Sequence, residues 1–282
     1  MKAVLPALAR ALIEHRLPDA LEVTWVTTRE EATTAMADAE IGWVDLYPHG
    51  LTPEAVAAGT SLKWLFTAIA GVEALDLPTL AARGTVVTNG AGINAIAVAE
   101  YAVLGILAAA KRFDRVVRSA DRHAWPDYAP GRLELFETAA LIVGYGAIGR
   151  LIGERLAAFG VAVTGVTRSG QGDTLTPEAW KARLGGFDWV ILAAPSMKPD
   201  AWLINMARGD MVDQDALIAA LTQKTIAGAF LDTVTPEPLP ADHPLWSAPN
   251  AIHSMHLSGR SQTKMFQRAA ALFLRNLDAF LA

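Results

Sequence analysis

Three glycines, Gly144, Gly146 and Gly149, follow an apolar run and open a helical pattern in the stretch ALIVGYGAIGRLIGERLAAFG. In a G-x-G-x-x-G turn between strand and helix, each glycine has a task. The first permits a tight turn, the second lets pyrophosphate approach the backbone, and the third lets helix and strand pack closely. The helix N-terminus then offers N–H groups and a positive dipole end to phosphate. Gly144, Tyr145, Gly146, Ala147, Ile148 and Gly149 are therefore the candidate cradle of a dinucleotide. The next apolar run, VAVTGV, ends in Thr167, Arg168 and Ser169. An acid there would bind both ribose hydroxyls and select NAD. Its absence removes repulsion against a 2′-phosphate, and Arg168 can pair with one. The sequence favours NADP, with NAD the alternative.

Further along, polar groups follow strand-like runs in NMARGD (205–210), FLDTVTPEP (230–238) and SMHLSG (254–259). With TAIAGVEALDL (67–77), TNGAGINAIAVAE (88–100) and the glycine motif, these segments resemble the D-isomer-specific 2-hydroxyacid dehydrogenases. That family shows N-x-A-R-G, L-D-V-x-x-x-E-P and T-P-H-x-[AS]-G in this order. The likeness runs from Leu65 to the C-terminus; the first sixty residues match only in general pattern. The resemblance implies that Arg208 binds the substrate carboxylate and polarises the carbonyl oxygen. It makes His256 the general acid/base, paired with Glu237, and sets Asp232 against the nicotinamide carboxamide. Backbone N–H groups around Ala70, Gly71 and Val72 would hold the substrate carboxylate, and Ala194, Pro195, Ala207, Ser258 and Gly259 would complete the cofactor site.

The implied reaction is NADPH-dependent reduction of a small 2-keto acid, of the glyoxylate or hydroxypyruvate type, by a cytoplasmic homodimer. The chemistry of the side chains agrees. Hydride transfer leaves an alkoxide-like oxygen that needs a proton, which a His can carry near neutral pH. A fork-shaped guanidinium suits a planar 2-keto acid. His253 is a rival to His256, but the following Ser258-Gly259 selects the latter. The alternatives are a nucleotide-binding sensor or a pseudoenzyme of the same fold with little turnover.

These residues need a scaffold. Strand and helix patterns alternate through the chain, which argues for an α/β fold of two Rossmann-like, doubly wound domains with parallel sheets. The expected substrate domain is 1–100, completed by 259–282, and the dinucleotide domain is 101–258, with the active site in the cleft between them. The N-terminal MKAVLPALARALIEHRL reads as an amphipathic helix, and Asn94–Phe113 as one long buried helix. Trp43, Leu46 and Tyr47 are expected to line the substrate pocket, and Trp125 to approach a neighbouring subunit.

One connection conflicts with this scheme. Only Ser196–Ala201 separates the runs VILAAP and WLINMA, roughly fifteen residues fewer than relatives carry and about the length of a crossover. A hairpin there would send Arg208 to the wrong edge of the sheet.

Composition narrows the classes. The chain has 282 residues, 52% of them hydrophobic and 19% charged, which suits a globular protein. A net charge of −5 without a basic stripe argues against a nucleic-acid partner. The most apolar helical run, 101–110, is too short to span a bilayer. With no cysteine, thiol nucleophiles and Cys-ligated metals are excluded.

Overall fold

A computed structural model describes residues 1–46, 50–172, 174–191, 200–260 and 262–282. The chain divides into two compact units, Met1–Ile93 with Gln262–Ala282, and Asn94–Ser261.

In the first unit, strands β1 (Lys2–Pro6), β2 (Glu22–Val26) and β3 (Ile41–Trp43) are followed by a short antiparallel pair, β4 (Asp45–Leu46) and β5 (Gly50–Leu51). Strands β6 (Trp64–Phe66) and β7 (Val86–Thr88) complete a parallel sheet of order β2-β1-β3-β6-β7. Helices α1 (Arg10–Ile13), α2 (Arg29–Met36), α3 (Pro53–Ala58) and α4 (Leu77–Ala82) connect them. Thr28 caps α2 in a capping box, its hydroxyl accepting from Glu31 N while Glu31 reaches back to the Thr28 N–H.

The N-terminus is not helical throughout. Lys2–Pro6 is an internal strand, with Ala3, Val4 and Leu5 all buried. A short apolar run buried on both faces has no alternation, so periodicity cannot separate it from a helix.

The terminal helix, Met265–Leu281, covers one face of this sheet with Ala269, Ala270, Phe273, Leu274 and Leu277, the three-and-four spacing of one helix face. Phe273 stacks on Trp43 and Trp64 at ring-centroid distances of 5.1 and 5.2 Å. Such aromatic pairs add about 0.5–1.5 kcal/mol beyond area burial. Trp43 is therefore a core residue, 1% exposed, and not a pocket wall. Leu46 is buried too, and Tyr47 lies outside the described residues.

The second unit opens with α5 (Ala95–Lys111) and α6 (Phe113–Asp121). The single helix expected here breaks at Arg112, which takes a left-handed conformation (φ 49°). Its guanidinium is held there by Asp114, at 3.0 Å, and by Asn250 Oδ1, at 2.8 Å. Then come β8 (Ala139–Val143), α7 (Ala147–Ala157), β9 (Ala162–Val166), β10 (Thr174–Leu175), β11 (Trp189–Ile191), β12 (Trp202–Asn205), α8 (Gln214–Gln223), β13 (Gly228–Leu231) and β14 (Ala251–His253). Their order in the sheet is β10-β9-β8-β11-β12-β13-β14, and every pairing is parallel.

This order decides the short connection. Trp189, Val190 and Ile191 pair in parallel with Trp202, Leu203 and Ile204, so the hairpin is excluded. β12 is buried on both faces and clasped by β11 and β13, and that placement fixes its direction. A chain the length of 192–201 spans at most about 33 Å, ample for the return past a three-residue strand; residues 192–199 lie outside the described ones.

Candidate active site

Because all these strands run one way, the segments following β8, β9, β12, β13 and β14 emerge at one edge of one sheet. Gly144, Thr167, Arg208, Asp232 and His256 all lie just beyond those strand ends. In doubly wound sheets ligands bind beyond the carboxyl ends of the strands.

At the glycine turn, Gly144 has φ 90°, open to glycine at little cost. A Cβ on Gly149 would lie 2.4 Å from Gly144 O, so turn and helix touch there. A Cβ on Gly146 would meet nothing within 4 Å, which leaves the space in front of α7 open. No side chain caps α7, so its first N–H groups, at Ala147, Ile148 and Gly149, suit a phosphate. Tyr145 contributes differently from expectation. Its N–H donates to Val166 O (2.9 Å), and its ring packs over Gly153 and Gly165 with Arg150 above it.

After β9, the Thr167 hydroxyl is 2.9 Å from that of Thr174 and accepts from Gly170 N, closing a local turn. Arg168 and Ser169 are exposed beside it. Ala194 and Pro195 lie outside the described residues.

After β12, the buried Asn205 shapes the Arg-bearing turn. Its Nδ2 donates to Arg208 O (3.0 Å) and its Oδ1 accepts from Ala207 N (3.1 Å). Asn205 has a positioning role that sequence reasoning missed, although it stands in the quoted motif. At Gly209, a Cβ would lie 2.0 Å from Val234 C, so no other residue fits against the Glu-bearing segment.

Glu237 divides its carboxylate between Val234 N–H (3.1 Å) and His256 Nδ1 (2.6 Å). A carboxylate only accepts, so Nδ1 is the donor and Nε2 is the nitrogen left for a reacting oxygen. Asp232 is 1% exposed, and its backbone oxygen accepts from His256 N (2.6 Å). A cavity of about 410 Å³ is lined by Asp232, Glu237, His256 and Arg260, with Trp246 and His253 among its walls.

Residues 103–258 match the family described as D-isomer specific 2-hydroxyacid dehydrogenase, NAD binding domain. The chain belongs to this family of NAD(P)-dependent oxidoreductases. A glyoxylate reductase of Thermofilum pendens is 32% identical, over 91% of this chain and 83% of the relative. A D-isomer specific 2-hydroxyacid dehydrogenase family protein from Aeromonas salmonicida superposes with a TM-score of 0.84, at 26% identity over 99% of this chain and 95% of that one. An NADPH-dependent glyoxylate/hydroxypyruvate reductase from Sinorhizobium meliloti gives a TM-score of 0.77, at 27% identity over 100% and 95%.

Two features of this dehydrogenase refine the sequence reading. His253 is held with Nε2 3.1 Å from Leu245 O, and burial pushes its pKa down. Its Nε2 is committed to that carbonyl, whereas His256 is paired with Glu237.

In the first unit, Ala70, Gly71 and Val72 lie on the segment after β6, which is held by a residue missed in the sequence. Asp45 accepts from Thr67 Oγ (2.8 Å), Trp43 Nε1 (2.9 Å) and Ala68 N (2.5 Å). Asn89 Nδ2 donates to Ala70 O (2.7 Å) from the other side. No local pattern marks Asp45, because the partners that tie it to this segment, Thr67 and Ala68, are 22 and 23 residues away.

Burial pushes the Asp45 carboxyl above the ordinary carboxylate range. Between the unfolded value, near 3.8, and the raised folded one, the folded chain keeps a proton that the unfolded chain has released. Stability from this residue is therefore present below that window and lost as pH rises through it. Denaturant unfolding of the Asp45→Asn variant against the parent is expected to show a difference that grows in the variant's favour as pH rises from about 4, then levels. Curves that stay parallel across pH would remove the charge from the account.

Proposed function

We propose that this dehydrogenase reduces small 2-keto acids of the glyoxylate or hydroxypyruvate type to the 2-hydroxy acids, with NADPH as the preferred cofactor. The observation that carries the reading is the His256–Glu237 pair, set on the same strand edge as the α7 cradle.

Gly146, Ala147, Ile148 and Gly149 would hold the pyrophosphate, and Arg168 the 2′-phosphate. When bound, the nicotinamide supplies the hydride. Arg208 binds the planar 2-keto acid and polarises its carbonyl oxygen. His256 donates its Nε2 proton to that oxygen, while Glu237 at Nδ1 keeps the ring oriented and offsets its positive charge. In the reverse direction Nε2 takes the proton back.

A homodimer fits the surface of the second unit. Phe113, Val116 and Val117 of α6 are exposed, and Trp125 in the loop beyond is 95% exposed, an apolar patch of the sort that subunit interfaces cover.

The test is oxidation of NADPH and of NADH by the purified protein with glyoxylate and with hydroxypyruvate. Turnover at least about tenfold faster with NADPH, a difference of about 1.4 kcal/mol, is expected. Binding of NADPH without turnover of either acid would replace the reductase reading with that of a nucleotide sensor.

A further inference from the structure

In the first unit β3, β6 and β7 lie side by side and parallel, so the segments that follow them emerge at one edge of the sheet. Asp45 stands two residues past β3, Thr67–Val72 directly past β6, and Asn89 directly past β7. The middle segment is gripped from both sides. Thr67 N donates to Thr88 O (3.0 Å), Ala68 N to Asp45 Oδ2, and Ile69 N to the Thr67 hydroxyl (3.1 Å), which itself donates to Asp45 Oδ1. From the β7 side, Asn89 Nδ2 donates to Ala70 O (2.7 Å) and Gly90 N to Ile69 O (3.1 Å). A Cβ on Gly90 would collide with Ala68 O, so the two segments touch.

Beyond Ile69 the N–H groups are open. Among the described residues no acceptor pairs with the N–H of Ala70, Gly71 or Val72, while Val72 O accepts from Leu75 N (3.0 Å) and closes the far end. Ala70 is exposed, and Gly71 and Val72 are half-buried. Three successive free N–H groups, fixed at both ends and set past the carboxyl end of a parallel strand, suit an anion.

We propose that Asp45 and Asn89 are positioning residues, which hold Thr67–Ala70 so that the N–H groups of Ala70, Gly71 and Val72 stand ready for the carboxylate of the 2-keto acid. The proposal rests on the reading of the protein as a 2-keto acid reductase. Neither side chain need touch the substrate. Asp45 takes up the two donors, Ala68 N and Thr67 Oγ, that start the segment on its course. Asn89 pins the carbonyl of Ala70, which belongs to the same peptide plane as the Gly71 N–H. Without either anchor the segment gains freedom, and the substrate must order it on binding. The loss therefore falls on substrate affinity, and the cofactor cradle in the second unit is untouched.

The experiment compares Asp45→Ala, Asn89→Ala and Asp45→Asn with the parent. The asparagine is the conservative variant. Its amide oxygen can accept from Ala68 N and Trp43 Nε1, and its amide N–H can donate to the Thr67 hydroxyl. Readouts are kcat, the KM values for glyoxylate and NADPH, and calorimetric binding of oxalate, an unreactive dicarboxylate of similar shape, with NADPH present. Both alanine variants are expected to raise KM for glyoxylate about tenfold and to weaken oxalate binding by a similar factor, with kcat within about threefold and KM for NADPH within about twofold of the parent. Asp45→Asn is expected to stay within about threefold of the parent in all of these. Unchanged oxalate binding in both alanine variants would overturn the proposal. So would an equal loss for glyoxylate and NADPH, which marks general damage to the fold. If Asp45→Ala does not fold, Asn89→Ala, at a partly exposed position, carries the test. If the parent reduces no 2-keto acid yet binds oxalate, and the alanine variants bind it more weakly, the reductase reading fails while the positioning role stands. A parent that binds no oxalate would overturn the proposal.

Discussion

His256→Asn is expected to lower kcat for 2-keto acid reduction by about 10²–10⁴-fold while leaving NADPH binding near that of the parent. The magnitude follows from what the ring does. As hydride arrives, charge builds on an oxygen that water at neutral pH protonates poorly. On the proposed mechanism the imidazolium would deliver a proton along Nε2, with the ring held by the 2.6 Å contact between Nδ1 and Glu237. Asparagine keeps a polar group of similar size but has no proton to give. The cradle in front of α7 belongs to other residues, so fluorescence titration with NADPH should be almost unaffected. A variant that kept a tenth or more of the parent's kcat would place the proton donor elsewhere.

Arg208→Gln is expected to cut kcat/KM for glyoxylate by about 10²–10³-fold, the scale of removing one partner from a hydrogen-bonded charge pair. Arg208 follows a strand whose neighbours on both sides are parallel to it, so it lies on the same edge as His256. Its guanidinium is the planar fork that matches a 2-keto acid, and glutamine offers only a neutral amide. On the proposed mechanism the loss should fall on both KM and kcat, because Arg208 would grip the carboxylate in the ground state and polarise the oxygen in the transition state. Steady-state kinetics at saturating NADPH separate the two. A change confined to KM would limit Arg208 to binding.

Much of this was readable in the sequence, for identifiable reasons. The glycine turn is local: Gly144 takes a positive φ and Gly149 leaves no room for a Cβ, while Gly146 keeps the space in front of α7 open. Arg208, Glu237 and His256 stand in short segments next to strands, where pattern and chemistry coincide. What escaped detection was set by distant contacts. Asp45 is tied to Thr67 and Ala68, and Asn205 reaches Thr233 O across to the neighbouring strand. Strand β1 was mistaken for helix because burial on both faces erases alternation. The direction of β12 was invisible because a short connection is compatible with either pairing until β13 claims the other side.

The fit of Gly209 against Val234 makes the Arg-bearing turn and the Glu-bearing segment neighbours without a gap. Asn205 and Asp232 share a backbone hydrogen bond, Gln214 and Thr235 exchange two, and His256 hangs from Asp232 by another. The backbone segments that carry Arg208, Glu237 and His256 are thus tied into one block. The entropy of arranging them is lost once, when the chain folds, and not at each turnover. On the proposed reading a substrate would meet backbone segments that are already ordered, and variants that improve catalysis should arise more readily outside this block than within it.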